Sequence, residues 1–168
     1  MRLTRYTDYS LRSLIYVGLQ EPAQSSIGEI ARAYGISENH LTKVVHQLGR
    51  LGLIRTIRGR GGGLRLALPP EQIVIGRVVR QTEDDLALVE CFASGACVIT
   101  APCRLKQALG EALSAFLAVL DGYTLADLLN DPEAGDIARI LGVAKPDPAK
   151  ADPAKADPAK PGSALAET

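Results

Sequence analysis

The sequence lacks any apolar stretch long enough to cross a membrane. Its longest run without a charged residue extends from Cys91 to Cys103, whereas a membrane-spanning helix needs roughly 18 or more apolar residues. It also lacks the apolar segment of a secretory signal, because the basic residues Arg2 and Arg5 are soon followed by Asp8. We therefore expect neither a membrane protein nor a secreted precursor, and we expect the chain to be cytoplasmic.

Cysteine and histidine are scarce, which limits the disulfides and metal sites that the chain can form. The sequence has three cysteines, and an odd number cannot all pair within one subunit, so a cytoplasmic chain with reduced thiols is the natural interpretation. Its two histidines, His40 and His46, lie six residues apart. That spacing does not bring two imidazoles of one helix onto one metal ion, so we expect no histidine metal site there.

The net charge is zero, but the two signs are separated along the chain. Residues 1–80 carry 12 Lys and Arg against 5 Asp and Glu, whereas residues 81–168 carry 7 against 14. A basic half beside an acidic half indicates a surface for a polyanion, joined to a part that meets a different partner.

A repeated motif occupies the C-terminal end of the sequence. Residues 145–160 read KPDPAKADPAKADPAK, in which regularly spaced prolines forbid a continuous helix and the side chains offer little to bury. We predict a disordered tail over residues 145–168, and a folded unit that ends near residue 144.

Apolar periodicity and capping residues predict the elements of the folded unit. Ser26 and Glu29 form a capping-box pattern, Gly35 ends the helix that follows, and Ser37 caps the next helix. After Gly52 the apolar period changes to two, which is typical of strands. The predicted helices cover residues 3–19, 26–34, 37–51, 73–81, 100–123 and 125–129, and the predicted strands cover residues 53–57 and 64–68.

The second and third predicted helices match a helix-turn-helix. Ala31 is small where the helices cross, Gly35 makes the turn, and Leu41 packs the second helix onto the first. A plain helical hairpin gives the same spacing, and the glycine-rich loop of residues 58–63 is also compatible with a solvated turn. The position of the positive charge favours DNA binding. The third helix (the recognition helix) would enter the major groove of double-stranded DNA, and the hairpin of residues 53–68 (the wing) would lie along the minor groove.

Position in these elements sorts the candidate DNA contacts. Side chains near the start of a recognition helix reach base edges, whereas arginines at its end and in the wing reach the backbone or the minor groove. We predict base-edge contacts from Glu38, Asn39, His40 and Lys43. We predict backbone or minor-groove contacts from Arg50, Arg58 and Arg60. Ser37 and Thr42 complete the predicted DNA-binding set.

The three cysteines form a C-x5-C-x5-C array of Cys91, Cys97 and Cys103. Zinc sites usually show cysteine pairs two to four residues apart, so the wide gaps disfavour zinc. A second interpretation is an ordinary core or redox role for the thiols. We favour an iron-sulphur cluster, because thiolates bind it and a loop can hold it across wide gaps. Three thiolates leave one position for an oxygen, nitrogen or outside ligand, and such a displaceable bond suits a sensor.

Several segments together resemble the Rrf2 family of winged-helix regulators over residues 1 to about 130. They are MRLTRYTDYSLRSL, the helix-turn-helix IGEIARAYGISENHLTKVVHQL, the wing segment RGRGGGLRLA, the cysteine array and the long helix after it. Among members of this family, the chain is most similar to the nitric-oxide-sensing repressors.

The resemblance implies a homodimer, built on the long helix, that holds a [4Fe-4S] cluster; a [2Fe-2S] cluster is the alternative. In some members a histidine three residues after the last cysteine supplies the remaining ligand, but here that position is Lys106. The resemblance instead implies Asp8 of the partner subunit as the fourth ligand. Asp8 is also spaced for an i,i+4 salt bridge with Arg12. The implied cluster thiolates are Cys91, Cys97 and Cys103.

These observations predict a mainly α-helical fold with a small β-hairpin wing, made of a winged helix-turn-helix domain and a long dimerisation helix. The resemblance implies a dimeric repressor without catalytic residues that binds a palindromic operator and senses nitric oxide in nitrosative stress. The alternatives are a regulator that reports iron or iron-sulphur supply, a small iron-sulphur electron carrier and a zinc-stabilised module. The predicted parts are a DNA-binding region (1–82), a cluster loop (83–103), a dimerisation helix with a short C-terminal helix (104–144) and the tail (145–168).

Overall fold

The computed structural model describes residues 2–93, 97–99, 101–130 and 132–143. The predicted tail, residues 145–168, lies outside the described residues. The helices within these ranges are α1 (Arg5–Gln20), α2 (Ile27–Tyr34), α3 (Glu38–Arg50), α4 (Ile75–Thr82), α5 (Glu90–Ala93), α6 (Arg104–Asp121), α7 (Leu125–Leu129) and α8 (Ala134–Ile140). The strands are β1 (Ile54–Ile57) and β2 (Gly63–Leu66), and they confirm the predicted mainly α-helical class with a small hairpin. No helix in the described ranges has both the length and the apolar character that a membrane span requires.

Helix α1 forms the centre of the core. Its N-cap, Thr4, accepts a hydrogen bond from the Thr7 amide, and its apolar side includes the fully buried Leu14 and Val17. The buried hydroxyls of Ser10 and Ser13 donate to backbone carbonyls four residues earlier, which satisfies them without partners on other elements. The helix packs against α3, α4, α7 and β2, so its position fixes those of the surrounding elements.

Helices α2 and α3 form the predicted helix-turn-helix. The Ser26 and Glu29 side chains make both hydrogen bonds of a capping box at the start of α2. Gly35 ends that helix with φ +64°, a left-handed backbone conformation that residues other than glycine rarely adopt. Ser37 occupies the N-cap position of α3 as predicted, although among the described residues its side chain makes no capping hydrogen bond. Leu41 is fully buried between the helices.

The wing is a two-stranded antiparallel hairpin with an added edge. Ile54 pairs with Leu66 and Ile57 pairs with Gly63, so the strands lie within a residue or two of their predicted bounds. Ser25, in the link between α1 and α2, exchanges both backbone hydrogen bonds with Leu64. This bridge attaches the free edge of β2 to the helical core.

The predicted start of the fourth helix is wrong by two residues. Ile73 and Val74 are extended and pair with the segment before α7, because the Leu125 amide donates to the Ile73 carbonyl and the Ile75 amide donates to the Tyr123 carbonyl. The apolar residues of the segment 73–79 belong partly to this strand-like bridge and partly to the helix. A sequence pattern alone does not reveal that its partner lies 50 residues away.

The long helix also starts later than predicted, at Arg104 rather than at residue 100. Ala101 and Pro102 form a turn, and Cys103 is the N-cap residue, whose Sγ accepts a hydrogen bond from the Lys106 amide at 3.4 Å. Tyr123 lies beyond the C-cap residue, Gly122, and is therefore outside the helix. The thiol thus occupies the place that a serine or aspartate usually takes at a helix start.

Glycine at the helix-turn-helix turn gives a test of the fold. Gly35→Ala should lower the free energy of unfolding by about 1 kcal/mol, because an L-residue is strained in the left-handed region. Gly49→Ala, inside α3, should instead raise it by about 0.5–1 kcal/mol, because alanine favours helical backbone and its Cβ would meet only ordinary contacts. Urea unfolding of both full-length variants measures the two shifts. Shifts of the same sign would contradict the described turn.

Candidate DNA interface and candidate metal centre

The outward face of α3 carries the predicted base-reading residues. Its apolar side chains Leu41, Val44 and Leu48 are buried against the core, which leaves the opposite face in solvent. The Thr42 hydroxyl donates to the Glu38 carbonyl at 2.8 Å, so this side chain lies along its own helix. The structure exposes the whole predicted set on α3, namely Ser37, Glu38, Asn39, His40, Thr42, Lys43 and Arg50.

The loop of the wing extends the same basic character. Arg58 and Arg60 are exposed at its tip. A Cβ at Gly62 would lie 2.3 Å from the Ile57 carbonyl oxygen, so only glycine permits this tight closure. The loop therefore presents two exposed arginines on a short, closed turn.

The start of α1 adds residues to this surface that the sequence did not predict there. The Tyr6 hydroxyl donates to the Lys43 carbonyl at 3.4 Å, and burial raises the pKa of Tyr6. Arg5 and Tyr9 line a mostly apolar cavity of about 260 Å3 together with His40 and Lys43. Because Tyr6 and Lys43 lie 37 positions apart in the sequence, no local pattern indicates their contact.

The three cysteines lie in different local settings. Cys91 is half-buried in the short helix α5, Cys97 is exposed, and Cys103 is half-buried at the N-cap of α6. All three are thiols rather than disulfides. Beside Cys103 is an open cavity of about 570 Å3, bounded by Phe92 of α5 and by the first turns of α6.

The donor set fits an iron-sulphur cluster in chemical type but is not assembled in this conformation. Three thiols within one 13-residue segment supply the soft ligands that such clusters need. Among the described residues, however, no group of three or more His, Cys, Asp or Glu side chains is close enough to hold one metal ion. The predicted ligand set Cys91, Cys97 and Cys103 therefore stays a prediction.

Asp8 is engaged within its own chain. Its Oδ1 accepts a hydrogen bond from Arg12 Nε at 2.9 Å, and both side chains are more than 40% exposed. The Arg12 guanidinium also lies 5.6 Å from the centre of the Tyr34 ring, and burial raises the pKa of Tyr34 to about 12. Ion pairs this exposed contribute little, roughly 0–1 kcal/mol, so Asp8 can exchange this partner at small cost.

A second contact connects α1 to the segment that leads to the cysteines. The Thr4 amide and hydroxyl donate to Glu83 Oε1 at 2.8 and 3.1 Å. Glu83 follows α4 directly as its C-cap residue. The N-terminal end of α1, which carries Asp8, is thereby fixed to the start of the predicted cluster loop.

Helix α6 has two distinct apolar faces. One face packs on α4, where Arg80 Nη1 and Nη2 donate to the two carboxylate oxygens of Asp121 at 2.6 Å each. The hydrogen bonds from Arg80 lower the pKa of Asp121. No residue of α6 is buried. The other face exposes an apolar row at alternating three- and four-residue intervals, formed by Leu105, Ala108, Ala112, Ala115 and Val119.

Comparison with known proteins points to one family. A family model, Rrf2, described as an iron-dependent transcriptional regulator, matches residues 3–131. The HTH-type transcriptional regulator NsrR of Geobacillus kaustophilus is 60% identical over 134 residues, which span 78% of this chain and 91% of that protein. The protein of the same name from Bacillus subtilis is 56% identical over 144 residues, which span 84% of this chain and 97% of that protein.

Solved structures agree with the fold. The structure of CymR, the global cysteine regulator of B. subtilis, superposes with a TM-score of 0.65 at 28% identity, covering 76% of this chain and 95% of that one. The structure of T. potens IscR gives a TM-score of 0.65 at 25% identity, covering 80% and 90%. Both likenesses extend over most of each chain, and so include the helices beyond the helix-turn-helix.

Proposed function

Because the chain belongs to the Rrf2 family of transcriptional regulators, we propose that it is a homodimeric repressor that binds a palindromic operator and dissociates from it in response to nitric oxide. It is a DNA-binding regulator, and it acts in the cytoplasm, where its DNA lies. The observation that carries the proposal is the exposed basic and polar face of α3 beside the wing arginines, on the same chain as three thiols. The resemblance to nitric-oxide-sensing repressors supports nitric oxide as the signal.

The DNA contacts follow from the two exposed surfaces. Side chains on the first turns of α3 read base edges in the major groove, while arginines at its end and in the wing hold the backbone or the minor groove. Asn and Lys carry donors suited to base edges, and Arg suits phosphates and narrow grooves. The base-reading set is Glu38, Asn39, His40 and Lys43, the backbone set is Arg50, Arg58 and Arg60, and Ser37 and Thr42 complete the interface.

The exposed row of α6 is the dimer contact. Apolar residues at alternating three- and four-residue intervals form the seam of a coiled coil. Small residues spaced four positions apart, such as Ala108 and Ala112, let two helices approach closely. Such a seam, exposed along an 18-residue helix, is apolar surface that a second copy of the chain would remove from water. The dimer also presents two recognition helices at once, as a palindromic operator requires.

The cofactor is a [4Fe-4S] cluster, with [2Fe-2S] as the alternative, held by Cys91, Cys97, Cys103 and Asp8 of the partner subunit. When bound, it supplies iron with one weakly held ligand, a position open to nitric oxide. In some members of the family a histidine three residues after the last cysteine is the fourth ligand, but here that position is Lys106, whose ammonium group cannot ligate. The resemblance instead implies a fourth ligand from the partner subunit.

Helix α1 conveys the signal to DNA. Asp8 either pairs with Arg12 in its own chain or reaches the cysteine segment of the partner subunit. A change of partner shifts the N-terminal end of α1, which contacts α3 through Tyr6 and Lys43. A coupling of about 1–3 kcal/mol is enough to change the operator affinity about 5- to 150-fold.

The family description favours one alternative signal. The matching model is described as iron-dependent, so a regulator of iron or iron-sulphur supply remains the second candidate. The same DNA surface and the same thiols would serve it. Stoichiometric nitric oxide separates the two, because only a nitric-oxide sensor loses operator affinity at one or a few molecules per subunit.

The cysteine array gives a direct test of cluster control. Cys97→Ser should yield colourless protein after anaerobic purification, and this protein should fail to protect a palindromic operator from nuclease. The matched control is Val98→Ser, which introduces the same side chain at the neighbouring exposed position without removing a thiol, and which should stay coloured and protect the operator. Unchanged colour and protection in Cys97→Ser would refute cluster control.

The α6 seam gives a test of the dimer. Ala112→Glu places a carboxylate in the seam of both subunits, where burying two like charges is costly, so the protein should become monomeric in sedimentation. Ser114→Glu introduces the same side chain on the opposite, exposed side of the helix and should leave the dimer intact. If both variants sediment as dimers, another surface makes the contact.

A further inference from the structure

The edge of β2 is completed by the side chain of Glu21, the C-cap residue that follows α1. Two amides of this strand point away from β1, those of Leu64 and Leu66. The Leu64 amide donates to the Ser25 carbonyl at 2.7 Å. The Leu66 amide donates to Glu21 Oε1 at 3.2 Å, so the carboxylate takes the place that a neighbouring strand would occupy.

The same carboxylate neutralises an arginine of the wing. Glu21 Oε2 accepts from Arg65 Nε at 3.0 Å and also from Arg65 Nη2, and this bonding raises the pKa of Arg65. Arg55 lies directly opposite Arg65 in the hairpin register, and like charges opposed across strands destabilise a sheet. Glu21 thus reduces the repulsion between Arg55 and Arg65 within the wing.

The side chains of the Glu21–Arg65 ion pair are less exposed than those of three other ion pairs among the described residues. Its side chain is 26% exposed and that of Arg65 is 28% exposed, whereas the members of the Arg12–Asp8, Arg80–Asp121 and Arg139–Asp136 pairs are all above 40%. Reduced exposure strengthens a hydrogen-bonded ion pair, because less water screens it. Of the pairs compared, it is the one best suited to hold an orientation.

Helix α1 connects this contact to the recognition helix. Tyr6, near its start, bonds to the Lys43 carbonyl of α3, and Glu21 follows its last residue as C-cap. Between them, Leu14 and Val17 are fully buried, so the helix moves as one body. The two DNA-reading elements are therefore attached to opposite ends of one rod, roughly 20 Å apart at 1.5 Å per residue.

We propose that Glu21 is a positioning residue for DNA binding, which fixes the direction of the wing relative to α3 through its bonds to Arg65 and Leu66. It does not touch DNA itself. It makes the wing arginines and the recognition helix bind as one unit, so a displacement of α1 moves both. The inference rests on the proposed function, because it requires the wing to contact DNA.

The test is a double-mutant cycle between Glu21 and the wing tip. Glu21→Gln retains an oxygen for the Leu66 amide but removes the charge that holds Arg65. Arg58→Ala removes one proposed DNA contact. The full-length protein, its two single variants and the double variant are titrated against the duplex that the wild-type protein selects from a random-sequence library. Glu71→Gln, the same change at an exposed glutamate, is the matched control background.

Arg58→Ala should weaken binding about five- to tenfold in the wild-type and Glu71→Gln backgrounds. In the Glu21→Gln background the same change should weaken binding less than about twofold, because the arginine is no longer held against the DNA. An equal loss in all three backgrounds overturns the inference and leaves the DNA contact intact. No loss in the wild-type background instead overturns the proposed contact between wing and DNA.

A second variant covers the case in which Glu21→Gln does not fold. Arg65→Gln removes the other member of the ion pair and enters the same cycle with Arg58→Ala, with the same expected loss of the Arg58 effect. Circular dichroism establishes that each variant is folded before titration. If neither Glu21→Gln nor Arg65→Gln folds, the pair is required for folding itself, and the positioning role is refuted.

Discussion

Burial of helix α1 is the constraint on which the rest of the structure depends. Leu14 and Val17 have no exposed surface, and fully burying each such side chain contributes roughly 1.5–3 kcal/mol. The helix packs on α3, α4, α7 and β2, so the recognition helix, the wing and the support of the long helix share one reference body. Asp8 lies in its first turn and Glu21 follows its last. The helix thus contacts both the recognition helix and the wing, the two elements of the proposed DNA surface.

The long helix α6 depends on contacts with other elements, because none of its residues is buried within the chain. One of its faces is held by α4 and by the Arg80–Asp121 pair, and the other leaves an apolar row in solvent. If that row is the dimer seam, the angle at which α4 meets α6 sets the distance between the two recognition helices. The geometry of the dimer then sets the spacing between the operator half-sites that the two recognition helices can bind. The N-cap position of Cys103 at the start of α6 places the predicted cluster segment at the base of the same helix.

Local sequence patterns predict most of the helices and strands. The features that they do not predict depend on contacts between residues far apart in the sequence. Ser26 with Glu29 and Gly35 act within a few residues, so the sequence predicts the helix-turn-helix, and the structure confirms it. The sequence predicts the start of α6 too early, because no local pattern distinguishes a helical turn at Ala101 and Pro102 from the turn that precedes the Cys103 cap. The bond from Arg65 to Glu21 spans 44 positions and has no sequence signature. The proposed ligand set includes a residue of a second subunit, so it stays a prediction.

In the mechanism proposed above, a cluster held by three thiolates and a partner carboxylate controls DNA affinity. The most direct measurement titrates nitric oxide into anaerobically purified full-length protein bound to its selected duplex, with absorbance and fluorescence anisotropy recorded on the same sample. We expect the protein to contain iron and sulphide, nitric oxide to bleach its colour, and the operator affinity to fall about 5- to 150-fold in step with that bleaching. Protein that lacks iron, yet binds the duplex tightly and keeps the same affinity after nitric oxide is added, would contradict control by a cluster.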